Sequence, residues 1–321
     1  MELMHHYQVS YRELLTEKFD FIIAASGYQK RCTFLAENLP YGDAEKLVIK
    51  YDEQGNTEWR YENEKVFDSL GYRYVKTEAT DTVEIEKLMQ RLCSGRICQN
   101  LNVLIDYSCM PRKWYAAIIT YLLKNDFQAQ RINIYFSYTP KKVVVLSQKS
   151  KLKAFEPVFG FQDKLSTDKP LTLVMGLNNN HAIIKELIGQ LKPTDKAAFI
   201  PDFSYDLGYY DSIKANNATV LDGIPAEKIF KYPAQRPDQI GSMLTSLCLD
   251  LRLNSNVVLV PNGPKTLSLA SILLSVKYPD IKIFELHAKD EKYDFDIGLP
   301  GGDPVISKSV FVVDDEDEDD D

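Results

Sequence analysis

Short apolar runs alternate along this 321-residue chain with longer stretches of helical periodicity. Period-two or continuous apolar runs bounded by turn residues predict strands, and apolar positions at i, i+3 and i+4 predict helices. In the first half, residues 11–18 predict a helical opening, 19–25 (FDFIIAA) a buried strand and 28–39 a helix. Strands follow at 46–51, 72–77, 103–107 and 132–137, separated by helices at 58–70, 82–93 and 113–124. Gly71 is a helix stop and Thr82 a helix N-cap by residue type.

Residues 139–170 break the rhythm, with a short extra strand expected at 143–146 and a connector packed by aromatics across 149–153 and 155–161 (FEPVFGF). The alternation then resumes. Strands are predicted at 171–175, 197–201, 228–232, 257–260 and 282–287, with helices at 181–191, from Leu207, at 237–253 and at 266–277. Residues 298–304 (GLPGGDP) predict a turn before a last strand at 309–313. Strands alternating with helices imply parallel sheets covered on both faces. The expected fold is therefore α/β, with two tandem Rossmann-like parallel sheets flanked by helices. The expected division is an N-terminal domain 1–140, a connector 141–170, a C-terminal domain 171–313 and an acidic, disordered tail 314–321.

Two stretches carry the same plan. Residues 102–120 (NVLIDYSCMPRKWYAAIIT) and 256–274 (NVVLVPNGPKTLSLASILL) each run from an apolar strand, through a loop with Pro and a basic residue, into a helix; the basic residues are Arg112 and Lys265. Setting Ile22 against Leu173 offsets the halves by 151 residues, and setting Val103 against Val257 offsets them by 154. An offset that persists from first strand to fourth points to internal duplication.

Charge adds less than its total suggests. The formal net charge is −8, but all eight residues 314–321 are acidic, and removing them from 46 leaves 38 acidic residues against 38 basic. A neutral body argues against a duplex nucleic-acid surface, which needs excess Lys and Arg. The tail reads as a solvated, self-repelling segment or as a docking arm for a basic protein. Five scattered cysteines without a Cys-x-x-Cys pair fit reduced thiols in the cytoplasm. No apolar run is long enough for a membrane span, and the opening residues lack a signal-peptide core.

In open parallel sheets ligands bind beyond the carboxyl ends of the strands. There the first half offers Ser26, Gly27, Arg31, Asp52, Glu53, Asp81, Asp106, Ser108, Arg112 and Lys113. Ser26, Gly27, Ser108 and Lys113 can cradle a phosphate that Arg31 and Arg112 grip, with Asp106 as general base or Mg²⁺ ligand beside Asp52 and Asp81. The bland alternative has Ser26 and Ser108 capping helices and Asp106 paired with an arginine. The second half offers Gly176, Asn178, Asn179, Asn180 and His181, then Asp202 and Tyr205, then Asn262, Gly263 and Lys265. Consecutive asparagines suit a base, a ribose or a peptide group better than bare phosphate, unless Asn180 is merely a helix cap. Cys109 with a distant His181 is a poor match for a catalytic thiol. Four histidines make a transition-metal centre hard to build; no metal ligands are assigned, and the cofactor is left open.

The loop at residues 261–265 with the helix after it (PNGPKTLSLASILL) is similar to the Gly-Thr-Lys loop of CARF-type Rossmannoid sensor domains. In that family the loop faces a nucleotide second messenger, and a Ser or Asn loop after the first strand forms the other wall. Gly176 to His181 would correspond to it. Pro264 stands where a threonine is usual, removing a hydroxyl and an N–H. The resemblance covers mainly the second half and implies a role in prokaryotic antiviral defence.

Three functions remain open from sequence. One is a subunit that binds or senses a nucleotide-type ligand and passes its state to a partner protein. Another is an enzyme, Mg²⁺-dependent or metal-free, acting on a nucleotide or phosphate ester through Asp106 and Arg112. The last is a scaffold subunit docked by its tail. Each of these is compatible with a homodimer.

Overall fold

A computed structural model describes residues 1–40, 42–51, 58–78, 81–124, 128–142, 151–158, 168–204, 206, 208–289 and 298–313. Asp52, Glu53, Tyr205, Leu207, the strand expected at 143–146 and the tail 314–321 lie outside the described residues. The chain forms two compact units, one of Met1–Val143 with Phe295–Asp321 and one of Val144–Asp294.

The first unit begins with β1 (Glu2–Val9), α1 (Tyr11–Leu14) and β2 (Phe21–Ser26). A single 3₁₀ turn, Lys30–Cys32, leads to α2 (Phe34–Asn38). The unit continues with β3 (Glu45–Tyr51), α3 (Glu58–Ser69), β4 (Arg73–Thr77), α4 (Val83–Cys93), β5 (Cys98–Asp106), α5 (Arg112–Lys124) and β6 (Ala129–Tyr138). The second unit contains β7 (Leu152–Pro157), β8 (Leu171–Gly176), α6 (His181–Leu191), β9 (Asp195–Asp202), α7 (Tyr209–Asn216) and α8 (Ala218–Leu221). It goes on through β10 (Ile229–Pro233), α9 (Pro237–Asn254), β11 (Asn256–Val260), α10 (Lys265–Lys277) and β12 (Lys282–Ala288). The last strand, β13 (Val305–Val312), returns to the first sheet.

The first sheet runs β1-β13-β6-β5-β2-β3-β4 and the second β10-β9-β8-β11-β12-β7. Numbering only the parallel strands of each unit in chain order, both sheets read 3-2-1-4-5, the doubly wound Rossmann order. The fold is thus α/β with two Rossmann-like sheets flanked by helices. Each sheet is mixed, because an antiparallel strand lies outside the fifth parallel one: β13 beside β6 in one, β7 beside β12 in the other.

The duplication extends to register. Ile22 pairs with Leu104 in the first unit and Leu173 with Val258 in the second, the same offsets of 151 and 154 that the sequence alone shows. Central strands covered on both faces explain the near-continuous apolar runs: all six residues of β2 are buried. One core gathers Ile22, Ala24, Val48, Phe67 and Leu104, and the other Leu173, Met175, Ile184, Leu187 and Val258.

Four expectations need correction. Residues 309–312, assigned by chain order to the C-terminal domain, belong to β13 and pair with β6 and β1 in the first sheet. The supposed connector contributes β7 to the second sheet. The helical opening is only the short α1, held by a Ser10–Glu13 capping box, after an unforeseen edge strand β1. The helix at 28–39 is broken. Asn63 Nδ2 donates to the carbonyls of Gly27 (2.8 Å) and Gln29 (3.1 Å), removing acceptors that a continuous helix needs. Elsewhere boundaries move by a few residues, and Gly71 does end α3 in a left-handed conformation, with φ of 74°.

Candidate functional site

In both units the first and fourth parallel strands are neighbours whose following loops diverge to opposite sides, the topological switch point of a Rossmann sheet. In the first unit these strands are β2 and β5. Asp106 ends β5 and is buried, and its Oδ1 accepts hydrogen bonds from Ser108 N (3.0 Å) and from the Ser108 hydroxyl. Ser108 Oγ in turn accepts from Thr139 N (2.8 Å), beyond β6. Ser108 therefore ties two strand ends together and caps no helix. Ser26 caps none either: it is fully buried, and its Oγ makes no hydrogen bond.

Arg31 enters this network instead of solvent. Its Nε donates to Gln29 Oε1 (2.8 Å) and its Nη1 to Thr139 O (2.7 Å), with the guanidinium 5.5 Å from the Tyr138 ring centre. Burial pulls the Arg31 pKa down, but Cys109, Tyr138 and Asp106 beside it more than offset that, and the net shift is upward. Arg31 is thus held inside the sheet end by Gln29 and Thr139. Gln29 Oε1 also accepts from Cys109 Sγ (3.7 Å), and Tyr51 Oη donates to Cys109 O (2.6 Å). Gln29, Tyr51, Asn63, Tyr138 and Thr139 are members of this cluster that sequence reasoning missed. Burial drives the neighbouring Cys32 thiol well above its ordinary range, with Cys109 adding to the shift, so Cys32 is an inert packing group.

Arg112 is the first residue of α5 and Lys113 the second; both are half-buried. Of the three aspartates that could hold Mg²⁺, Asp52 lies outside the described residues. Asp81 Oδ1 accepts from Val83 N (2.8 Å) at the start of α4, and among the described residues neither it nor Asp106 belongs to a three-ligand group.

The second switch point, between β8 and β11, is built of amides. Asn178 Nδ2 donates to Asn262 Oδ1 (3.0 Å), joining the loop after the first strand to the loop after the fourth. Asn178 Oδ1 accepts from Asn180 N (2.8 Å), and Asn179 Oδ1 from Asn216 Nδ2 (3.1 Å). Asn217, fully buried between α7 and α8, donates to Asn178 O and to Ile213 O, each at 2.8 Å. Asn216 and Asn217 were not foreseen from sequence. Their adjacency in KANNATV is a signal, but nothing local shows that α7 leans on the asparagine loop.

Four buried polar atoms here have no hydrogen-bond partner: Asn180 Oδ1, Asn217 Oδ1, Asn262 Nδ2 and His181 Nδ1. Buried polar groups are nearly always paired, so such a cluster marks a place that water or a ligand completes. Asn180 sits at the N-cap position of α6, yet its side chain makes no capping bond, so the cap reading fails. The switch points also share a charge anomaly. α5 and α10 each begin with a basic residue, Arg112 and Lys265, and neither has an acidic residue in its first turn. Cations at a helix N-terminus oppose the helix dipole, an arrangement that an anion above the helix relieves.

Gly176 allows the two loops to meet. A Cβ there would lie 2.5 Å from Leu267 Cδ2 and 3.0 Å from Asn262 N. Gly176→Ala is expected to cost about 1–3 kcal/mol through overpacking, measured as a lower urea midpoint with unchanged slope. Gly263, whose Cβ would lie 3.1 Å from Tyr232 Oη, is the milder case.

No family model matches the chain, and no curated protein does. Among solved structures, a Haemonchus contortus phosphoethanolamine N-methyltransferase in complex with phosphoethanolamine and S-adenosylhomocysteine is similar over 76% of this chain and 69% of that one, at 10% identity and a TM-score of 0.21. A likeness of that size carries no weight for ligand or activity. The fold assignment rests on strand order and register. No helix among the described residues is long and apolar enough to cross a membrane.

Proposed function

We propose that the chain is a nucleotide-binding or sensor subunit whose ligand sits at the switch point of the second unit and whose bound state is passed to a partner protein. The observation that carries this reading is the asparagine cluster, in which Asn180 Oδ1, Asn217 Oδ1 and Asn262 Nδ2 are buried and unsatisfied beside a helix that opens with Lys265. Amide donors and acceptors read the edge of a base or a ribose, and a cation at a helix N-terminus suits the attached phosphate. The resemblance to CARF-type sensors points the same way, since the Asn178–Asn180 loop follows the first parallel strand and residues 261–265 follow the fourth. A place in prokaryotic antiviral defence follows from that resemblance alone.

The enzyme reading draws less support, because Asp106 Oδ1 is already engaged by two donors from Ser108. Calorimetric titration of the full chain with a panel of mononucleotides, dinucleotides and cyclic oligonucleotides tests the proposal. Binding by at least one member, weakened about tenfold or more in Asn262→Ala by loss of a buried hydrogen-bonding group, is the expected outcome. No heat across the panel overturns it.

A further inference from the structure

We propose a divalent metal site on the second sheet, formed by Glu156, Glu285 and His287, independent of the nucleotide reading. Glu285 and His287 alternate with Phe284 and Leu286 along β12, so the apolar pair packs into the core while the two polar residues share the opposite face. Glu156 on β7 pairs directly with Glu285 in the antiparallel ladder. Glu285 is only 7% exposed, and the pairing sets its carboxylate beside that of Glu156 on one face of the two strands.

The imidazole supplies a third donor. His287 Nε2 lies 2.8 Å from Glu156 Oε1 and 3.6 Å from Glu285 Oε1, and one donor atom from each of the three residues lies within 4.8 Å of the others. Despite that proximity the ring does not aim an N–H at either oxygen, and Nε2 is buried without a hydrogen bond. A lone pair directed at a metal fits this better than an ion pair does. With metal–ligand bonds of about 2.0–2.2 Å, neighbouring ligands in tetrahedral or octahedral shells stand about 2.8–3.6 Å apart, the range of the two distances from His287 Nε2. A register shift between His287 and Ala288 re-aims the strand beside the histidine. Glu156 and His287 remain partly open, with side chains 47% and 31% exposed, which provides an entry path and room for water as a further ligand. One nitrogen and two carboxylates suit a borderline cation such as Zn²⁺ or Mn²⁺.

Equilibrium dialysis of the full chain against Zn²⁺, after chelator treatment, tests the site, with Co²⁺ absorption as the spectroscopic readout. The expected result is about one ion per chain, with affinity falling about tenfold or more in Glu285→Gln and in His287→Gln. The half-exposed Glu156→Gln should weaken binding without threatening the fold. A His5→Gln/His6→Gln variant controls for the only adjacent histidines in the sequence and should bind as the parent does. No zinc uptake by the parent chain, or uptake that survives His287→Gln and Glu156→Gln, overturns the assignment.

Discussion

Replacing Arg31 with methionine is expected to lower the free energy of unfolding by about 1–3 kcal/mol, the cost of leaving buried hydrogen-bond acceptors unsatisfied. Methionine fills most of the volume but leaves Asp106 without the nearby guanidinium charge and Thr139 O without its donor. Arg31→Lys should recover only part of the loss, because a single ammonium on a shorter reach cannot span Gln29 Oε1 and Thr139 O as the guanidinium does. Chemical denaturation of the two variants decides the matter. A loss below about 1 kcal/mol in Arg31→Met, the range of an exposed ion pair, would mean that the guanidinium turns outward in solution and remains available for a ligand phosphate.

Asn217→Leu should cost about 1–3 kcal/mol, since Asn178 O loses its side-chain donor, whereas Ile213 O keeps the backbone N–H of residue 217. Its effect on ligand affinity should exceed its effect on stability, because Asn217 holds the Asn178 loop at the switch point. Asn216→Ala, which removes only an exposed bond to Asn179, is the control and should change stability by less than about 1 kcal/mol. Parallel urea titrations would show the contrast, and equal losses in the two variants would remove Asn217 from the site's support.

Much of this fold can be read from the chain because its central strands are buried on both faces. FIIAAS in β2 and NVVLV in β11 are nearly pure apolar runs, and the helices between them keep their period. The edges were less legible. β1 (ELMHHYQV) is mostly exposed, so no apolar run announces it, and β13 pairs with strands far away in sequence, which chain order cannot reveal. Sequence order also suggested two consecutive domains, whereas the last strand closes the first sheet.

Among the candidate residues the division is physical. Asn178, Asn180, Asn262 and Lys265 were visible as the contents of two loops that any doubly wound sheet brings together. Arg31 and Ser108 were visible too, but as ligand contacts, and the structure commits both to bonds within the sheet end. No local pattern distinguishes a cation that grips phosphate from one that closes a sheet. The Glu156–Glu285–His287 group was beyond reach for another reason: it depends on the register of β7 against β12, which is set over more than a hundred residues of intervening chain.

The central claim is that the asparagine switch point of the second unit receives a nucleotide. Selective ¹⁵N labelling of asparagine side chains makes the amide groups of Asn178, Asn180, Asn217 and Asn262 directly visible by NMR while nucleotides are added to the full chain. Saturable shifts of the Asn178, Asn180 and Asn262 side-chain amides, with Asn38 in α2 unmoved, are the result this account predicts. Amide signals that stay in place across the panel, or that move only in the first unit, would contradict it.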